Sequence, residues 1–399
     1  MDEKKDKTIK VNSAIISAII SLPAINTLVI VRTSLGSIFT IGSILIFIFS
    51  LVVNGNIKKS QIIFTCLTCT IPLFSFLFKF THREEVIRYF MFYFQCGILF
   101  VYAITHKINF DLVFKNILII FTVFLSGLLY FIPVIKNHAI GFDFMSLSYM
   151  VQPVVLSSIY VAFFSNEKKS WRLFAIILFI IYFYYGLQFY TRGAFFGVVV
   201  FVLILYLIKE SKTPIFYTPL KLLIILMVLI IAFNFSEFLI AFNDFLYDIN
   251  FEISPISKLV TLAKIDNIDN GRMVIYKSAI EMFKQNPVLG NGLAAFRDVR
   301  NTYEHNIFLQ LLNEGGILFS FVHFVLILRT IEIIINKNNR YKRDYRYFII
   351  FLFCNSFIQL CFSSFLWSSP GYWMMIYLTF IRKDFMNNML ETEKLDEEM

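Results

Sequence analysis

The apolar stretches in this chain are too long and too numerous for a water-soluble core. Windows able to cross about 30 Å of hydrocarbon recur along it and predict about twelve spans. They lie near residues 12–31, 35–53, 60–80, 86–105, 111–135, 144–165, 171–190, 193–209, 219–241, 305–329, 345–367 and 370–382. Composition agrees: of 399 residues, 58% are hydrophobic, 49 are Phe, and only 16% are charged. A soluble domain carries about 25% charged residues. No soluble domain, 20–50-residue repeat or low-complexity linker interrupts the pattern. The expected class is an all-α polytopic membrane protein.

The net charge of +9 invites a nucleic-acid reading, but no basic module stands outside the apolar stretches. The cations instead set topology. The segments expected inside are the N-terminal tail "MDEKKDKTIK", "NGNIKKS", "THKIN", "SNEKKSWR", "KESKTPIFYTPLK", "NKNNRYKRDYR" and the tail from Arg382. Together they hold roughly twenty Lys and Arg, against about six in the short outer loops, as the positive-inside rule requires. "KFTHREEVIR", near residues 79–88, is more charged than that rule favours for an outer loop. The first span, with no small-residue cleavage site, is expected to be an uncleaved anchor. Both termini are then cytoplasmic.

One loop is long, and the count places it outside. It divides the chain into a membrane domain (1–241, about nine spans), the external loop (242–304), and three further spans with the cytoplasmic tail (305–399). Within the loop, Met273, Tyr276, Ile280 and Phe283 share one helical face, with Lys277, Ser278, Glu281, Lys284 and Gln285 opposite. Asp269 or Asn270 can cap this amphipathic helix, and Pro287 ends it. Such a helix rests on a membrane surface or over a cavity mouth. The glycines of "VLGNGLAAF" then supply tight turns.

Cys66, Cys69, Cys96, Cys354 and Cys361 all lie in apolar segments. Cys66 and Cys69 form a CxxC without the second pair or His that a metal site needs. No DxD or carboxylate cluster marks the outer loop either, so neither metal nor cofactor is expected.

Polar residues that could perform chemistry gather at the outer side. Arg192 interrupts nearly continuous apolar sequence at "TRG", where an arginine either marks a helix end by snorkelling or grips an anion. Arg272 begins the amphipathic helix, where a cation opposes the helix dipole unless an anion lies between it and the free N–H groups. His305 and Asn306 open the tenth span, and Asn306, Gln310 and Asn313 continue at i, i+4 and i+7. Polar groups at such depth are costly and line wet cavities or functional sites. Glu314 is expected to bond within the bundle, and His323 to be packed. Two arginines and a histidine on one side point to a pyrophosphate substrate and a hydroxyl to be activated.

The order "TRGAFFG", "GRMVIYKSAIEMFKQNPVLGNGLAAF", "YEHNIFLQLLNEGGILF" resembles the bacterial O-antigen ligase and polysaccharide polymerase superfamily over roughly residues 188–325. The resemblance implies a GT-C-like membrane glycosyltransferase, inverting and metal-independent. Its donor would be a glycan on undecaprenyl pyrophosphate, presented at the outer face of the cytoplasmic membrane. Arg192 and Arg272 would grip the pyrophosphate. His305 would act as base or orient the acceptor hydroxyl, with Asn306, Gln310 and Asn313 on the acceptor side or lining the cavity. Expected partners are the donor, an acceptor glycan, membrane lipid and a chain-length regulator.

The expected function is polymerisation of O-antigen or capsule, by transfer to another lipid-linked repeat. The alternatives are ligation to lipid A-core and, from another class, a twelve-span secondary transporter. Transporters place polar sites near the midplane within broken helices of matching halves, unlike the outward clustering here.

Overall fold

The computed structural model describes residues 2–33, 38–78, 83–104, 108–136, 144–189, 192–208, 235–250, 256–257, 260–261, 271–336, 343–362 and 365–382. Within its helices, the side chains of 2–5, 27–33, 78, 83, 126–136, 144–147, 185–189, 192 and 235–239 lie outside the described set. All regular structure among the described residues is helical. Asp266, Asp269 and Asn270 lie outside the described residues, as does most of the expected 219–241 span.

The helices follow the apolar windows closely: α1 (Asp2–Thr33), α2 (Phe39–Asn54), α3 (Lys59–Thr68), α4 (Thr70–Phe78), α5 (Arg83–Phe92), α6 (Phe100–Ala103), α7 (Phe110–Lys136), α8 (Phe144–Phe163), α9 (Lys169–Phe189) and α10 (Arg192–Ile208). A π-helical turn, Tyr93–Leu99, joins α5 to α6. After the undescribed stretch come α11 (Phe235–Asp248), α12 (Arg272–Gln285), α13 (Ala295–Arg300), α14 (Ile307–Ile335), α15 (Arg343–Leu352), α16 (Ile358–Phe362) and α17 (Pro370–Phe380). α15 and α16 are joined by a second π-helical turn, Phe353–Phe357. α11 runs through the expected domain boundary at residue 241.

By length and composition, four helical stretches among the described residues can cross a membrane: Asp6–Asn26, Glu84–Ala103, Ile307–Ile335 and Arg343–Phe362. Lys59–Thr68 and Thr70–Leu77, bent by 49°, make a fifth if taken together. Phe39–Asn54, Ser148–Phe163 and Gly193–Ile208 are apolar but shorter. The last expected span is the 11-residue α17, about 16 Å long at 1.5 Å per residue. That is half the hydrocarbon thickness, yet α17 is the most enclosed helix: Tyr372, Trp373, Met374, Met375, Ile376, Tyr377 and Leu378 are all fully buried. Its preceding turn (Leu366–Ser368) carries the chain back into the bundle.

Polar pairs link segments distant in sequence. Asn12 pairs with Asn54 (2.9 Å), Lys115 with Glu167 (2.7 Å) and Arg382 with Glu332 (3.0 Å). Arg297 of α13 meets Glu85 of α5 at 3.3 Å. Within "HREEVIR", Glu85 also lies 3.6 Å from Arg88.

Small residues let α10 approach closely. A Cβ on Gly193 would come 2.8 Å from the Tyr149 hydroxyl, and one on Gly197 would come 2.7 Å from the Cys354 carbonyl. The G-x-x-x-G of "GAFFG" therefore seats α10 against α8 and the second π turn, as small-residue pairs do in membrane bundles.

Candidate active site

The amphipathic helix and the polar start of α14 meet through a break. At Gly316 α14 is not helical (φ 59°, ψ −168°), a conformation open in practice only to glycine. The backbone groups freed there pair with the loop after α12. Ile317 and Leu318 donate to the Pro287 and Val288 carbonyls (2.9 and 3.1 Å), while Asn291 and Gly292 donate to the carbonyls of Asn313 and Glu314 (2.6 and 3.1 Å). Ser320 Oγ donates to the Leu311 carbonyl at 2.6 Å. Broken backbone at membrane depth requires such replacement partners. Gly290 is equally constrained, since a Cβ there would come 2.5 Å from Gly316 N. "NPVLGNG" and "EGG" are thus two halves of one joint.

Below this joint lies a buried carboxyl–amide cluster. Glu304, Gln310, Asn313 and Glu314 are 2%, 2%, 0% and 1% exposed, so none contacts bulk water. Trp367 Nε1 donates to Glu314 Oε2 at 2.6 Å. Glu314 Oε1 accepts from Ala294 N (3.3 Å) and Gln310 Nε2 (3.4 Å). Gln310 Oε1 accepts from Leu366 N at 3.3 Å. Asn313 Nδ2 donates to Glu304 Oε1 at 3.4 Å. Burial pushes the Glu304 carboxyl up to about 7, against a pull downward from its hydrogen bonds, the Asn313 amide among them. Gln310 and Glu314 thus tie the 365–368 turn to α14, and Asn313 ties α14 to Glu304, the residue before His305.

Asn306 caps α14: its Oδ1 accepts from Phe308 N (3.0 Å) and Leu309 N (3.3 Å). His305, one residue earlier, takes the left-handed conformation (φ 54°). Its ring lies 4.0 Å from that of Tyr303, and its Nε2 is 3.5 Å from Thr302 Oγ1. Nδ1 is shielded from solvent and has no hydrogen-bond partner among the described residues. Arg272, half-buried in the first turn of α12, is close enough for its charge to act on the imidazole. Burial first, and then Arg272, lower the His305 pKa to about 4. Both influences favour the neutral imidazole, which can accept a proton, and Arg272 supplies a positive charge of the kind that holds an anion. Arg272 has no ion-pair partner among the described residues.

Arg192 is the first residue of α10, and its side chain lies outside the described set. His323 is packed, with Nδ1 2.9 Å from the Tyr372 hydroxyl.

Residues 177–323 match the family model of O-antigen ligase. This stretch is similar to the O-antigen ligase family. Searches of curated proteins and of solved structures return no significant match. The matched stretch covers a little over a third of the chain. It runs from within α9 through the first half of α14 and contains Arg192, Arg272 and His305. The matched family indicates O-antigen ligase- or polymerase-like, glycosyltransferase-like function for this region, and the apolar helices fit a membrane protein.

Outside that stretch stand groups that reading by local pattern did not single out for the site. Trp367 and Leu366 N follow it in sequence, and Glu85 precedes it. The charge excess at "HREEVIR" was the one available signal for Glu85. Trp367 had none, since a Trp in an apolar segment is ordinary.

Proposed function

We propose that this protein is a metal-independent, inverting glycosyltransferase of the cytoplasmic membrane, acting at the outer face on a glycan carried by undecaprenyl pyrophosphate. The observation that supports it most is His305, its pKa lowered by burial and then by the Arg272 charge, with both residues inside the stretch that matches the family model. Breaking the anomeric C–O bond leaves a lipid pyrophosphate, and arginine stabilises that growing charge. Arg272 and Arg192 have this role. His305 takes the proton of the attacking sugar hydroxyl, a contribution of about 10²–10⁴-fold. The anomeric carbon becomes oxocarbenium-like between them.

The acceptor is another lipid-linked repeat unit, which makes the enzyme a polymerase of O-antigen or capsule working with a chain-length regulator. The matched family's description as O-antigen ligase supports a second reading, transfer to lipid A-core. Deletion followed by electrophoresis of the surface polysaccharide separates them. Core bearing a single repeat marks a lost polymerase, and bare core with accumulated lipid-linked polymer marks a lost ligase. His305→Ala, Arg192→Ala and Arg272→Ala should each abolish or strongly reduce transfer while the protein remains in the membrane; unchanged glycan in all three refutes the assignment.

A further inference from the structure

A second polar space lies on the far side of the 365–369 turn from the carboxyl–amide cluster. It is a cavity of about 280 Å³ between α1, α8, the second π turn, α16 and the start of α17. Tyr149, Asn355, Ser356, Gln359, Ser368 and Ser369 line it. No lining residue carries a formal charge, so the cavity offers hydroxyls and amides with no counter-ion for a phosphate.

Three departures from regular helix converge on this space. Pro23 interrupts α1 and Pro153 interrupts α8, each removing one backbone donor. Asn355 and Ser356 belong to the π turn Phe353–Phe357, a form concentrated at functional sites. Irregular backbone within a membrane bundle is tolerated where it lines a cavity. Oδ1 of Asn355 is shielded from solvent and has no hydrogen-bond partner among the described residues, as expected of an acceptor awaiting a ligand. Gln359 is held by Gln152, which in turn donates to the Cys354 carbonyl at 3.1 Å.

The cavity is also placed next to the proposed chemistry. Gly193, which follows Arg192, abuts the lining residue Tyr149. The turn that supplies Ser368 and Ser369 carries Trp367, bound to Glu314. At about 280 Å³ the space is just below the range of roughly 300–1,000 Å³ typical of small-molecule sites, enough for one ring and not for an oligosaccharide.

We propose that this cavity is a sugar subsite that takes one uncharged pyranose ring of the glycan substrate, hydrogen-bonded through Asn355 and Ser369, with the ring's C–H face against Pro153 and Ile20. The proposal rests on the glycan-transfer reading for its source of sugar, either the donor or the acceptor. Recognition of neutral hydroxyls beside an arginine-held pyrophosphate divides the substrate into a charged part and an uncharged part. Each is met by matching chemistry.

The test uses the full-length protein in lipid nanodiscs and, as probe, the repeat-unit oligosaccharide released by mild acid from the cell's own surface polysaccharide. Saturation-transfer NMR should show ring protons contacting the wild type. Asn355→Leu should weaken binding about fivefold, the effect of roughly one hydrogen bond, and Asn355→Gln should restore part of it. Ser369→Ala, which removes a hydroxyl and little bulk, decides the matter if Asn355→Leu fails to fold. No contact in the wild type, or equal binding by the folded variants, overturns the proposal. In steady-state transfer, a raised KM for the lipid-linked donor assigns the ring to the donor, and a raised KM for the acceptor assigns it there. Neither KM changing overturns the subsite. A wild type that binds the oligosaccharide but transfers nothing refutes the transferase reading and leaves the subsite standing.

Discussion

Burial lowers the His305 pKa to about 4, and the charge of Arg272, in the first turn of α12, adds to that shift. A base must be unprotonated, so transfer should be flat from neutral pH down to about 5 and fall below it, with a midpoint near 4. Arg272→Gln removes one of the two depressing influences. Its residual activity should show the acid limb shifted upward, still below the ordinary 6.5 because burial persists. Initial rates against pH check this; a wild-type limb near 6.5 would contradict it.

Glu304 titrates in the opposite sense. Its folded-state pKa, about 7, lies above the ordinary 4.5, so the folded protein holds the proton more tightly than the unfolded chain. The stability this contributes is complete below 4.5 and is lost as pH rises through about 7, a change on the order of 3 kcal/mol. Glu304→Gln mimics the protonated form. It should raise Tm relative to wild type at pH 8–9 and leave it nearly unchanged at pH 4.5. Parallel melting curves across that range would exclude a titrating Glu304.

Asn306 has a structural task that separates it from chemistry. Asn306→Ala loses the cap of α14 and should cost about 1 kcal/mol, read as a lower Tm. Asn306→Ser retains a capping oxygen and should recover stability. If Asn306→Ser also recovers transfer, the residue acts through the helix start that positions His305. Loss of transfer with stability intact would assign it direct contact with the acceptor.

The paired glycines set the loop against the broken helix. Gly316→Ala should cost about 1–3 kcal/mol from backbone conformation alone, before the collision with the Val288 carbonyl. Gly290→Ala should behave alike, because both side chains would enter the same contact. Folded yield and Tm in detergent report it, and wild-type values for either variant would show that the joint is not as described.

Much of the fold was legible because a membrane helix declares itself locally. About 20 apolar residues in succession leave few other options, so α7, α8, α9 and α10 begin and end within a few residues of the expected windows. The expected start of the tenth span at His305 came two residues early: α14 begins at Ile307, and Asn306, expected within the helical stripe, caps it. The stripe of Gln310 and Asn313 predicts the lining of a wet cavity, whereas the structure buries both among polar partners. The stripe did not say what they bind.

From the sequence alone came the succession of helices, the helix that ends before Pro287, and the expectation that Arg192, Arg272 and His305 gather on one side by charge. These follow from hydropathy, periodicity and capping, each contained within a few turns of chain. Gly271 at the start of that helix, in place of the expected Asp269 or Asn270 cap, came from the structure. Tertiary structure alone decided that Trp367 binds Glu314 across 53 residues, that Arg297 meets Glu85, and that Gly290 presses against Gly316. It also decided the downward shift of the His305 pKa, because burial and the approach of the Arg272 charge depend on packing. A pairwise contact between distant segments leaves no period in either one, so it exists only once the helices have packed.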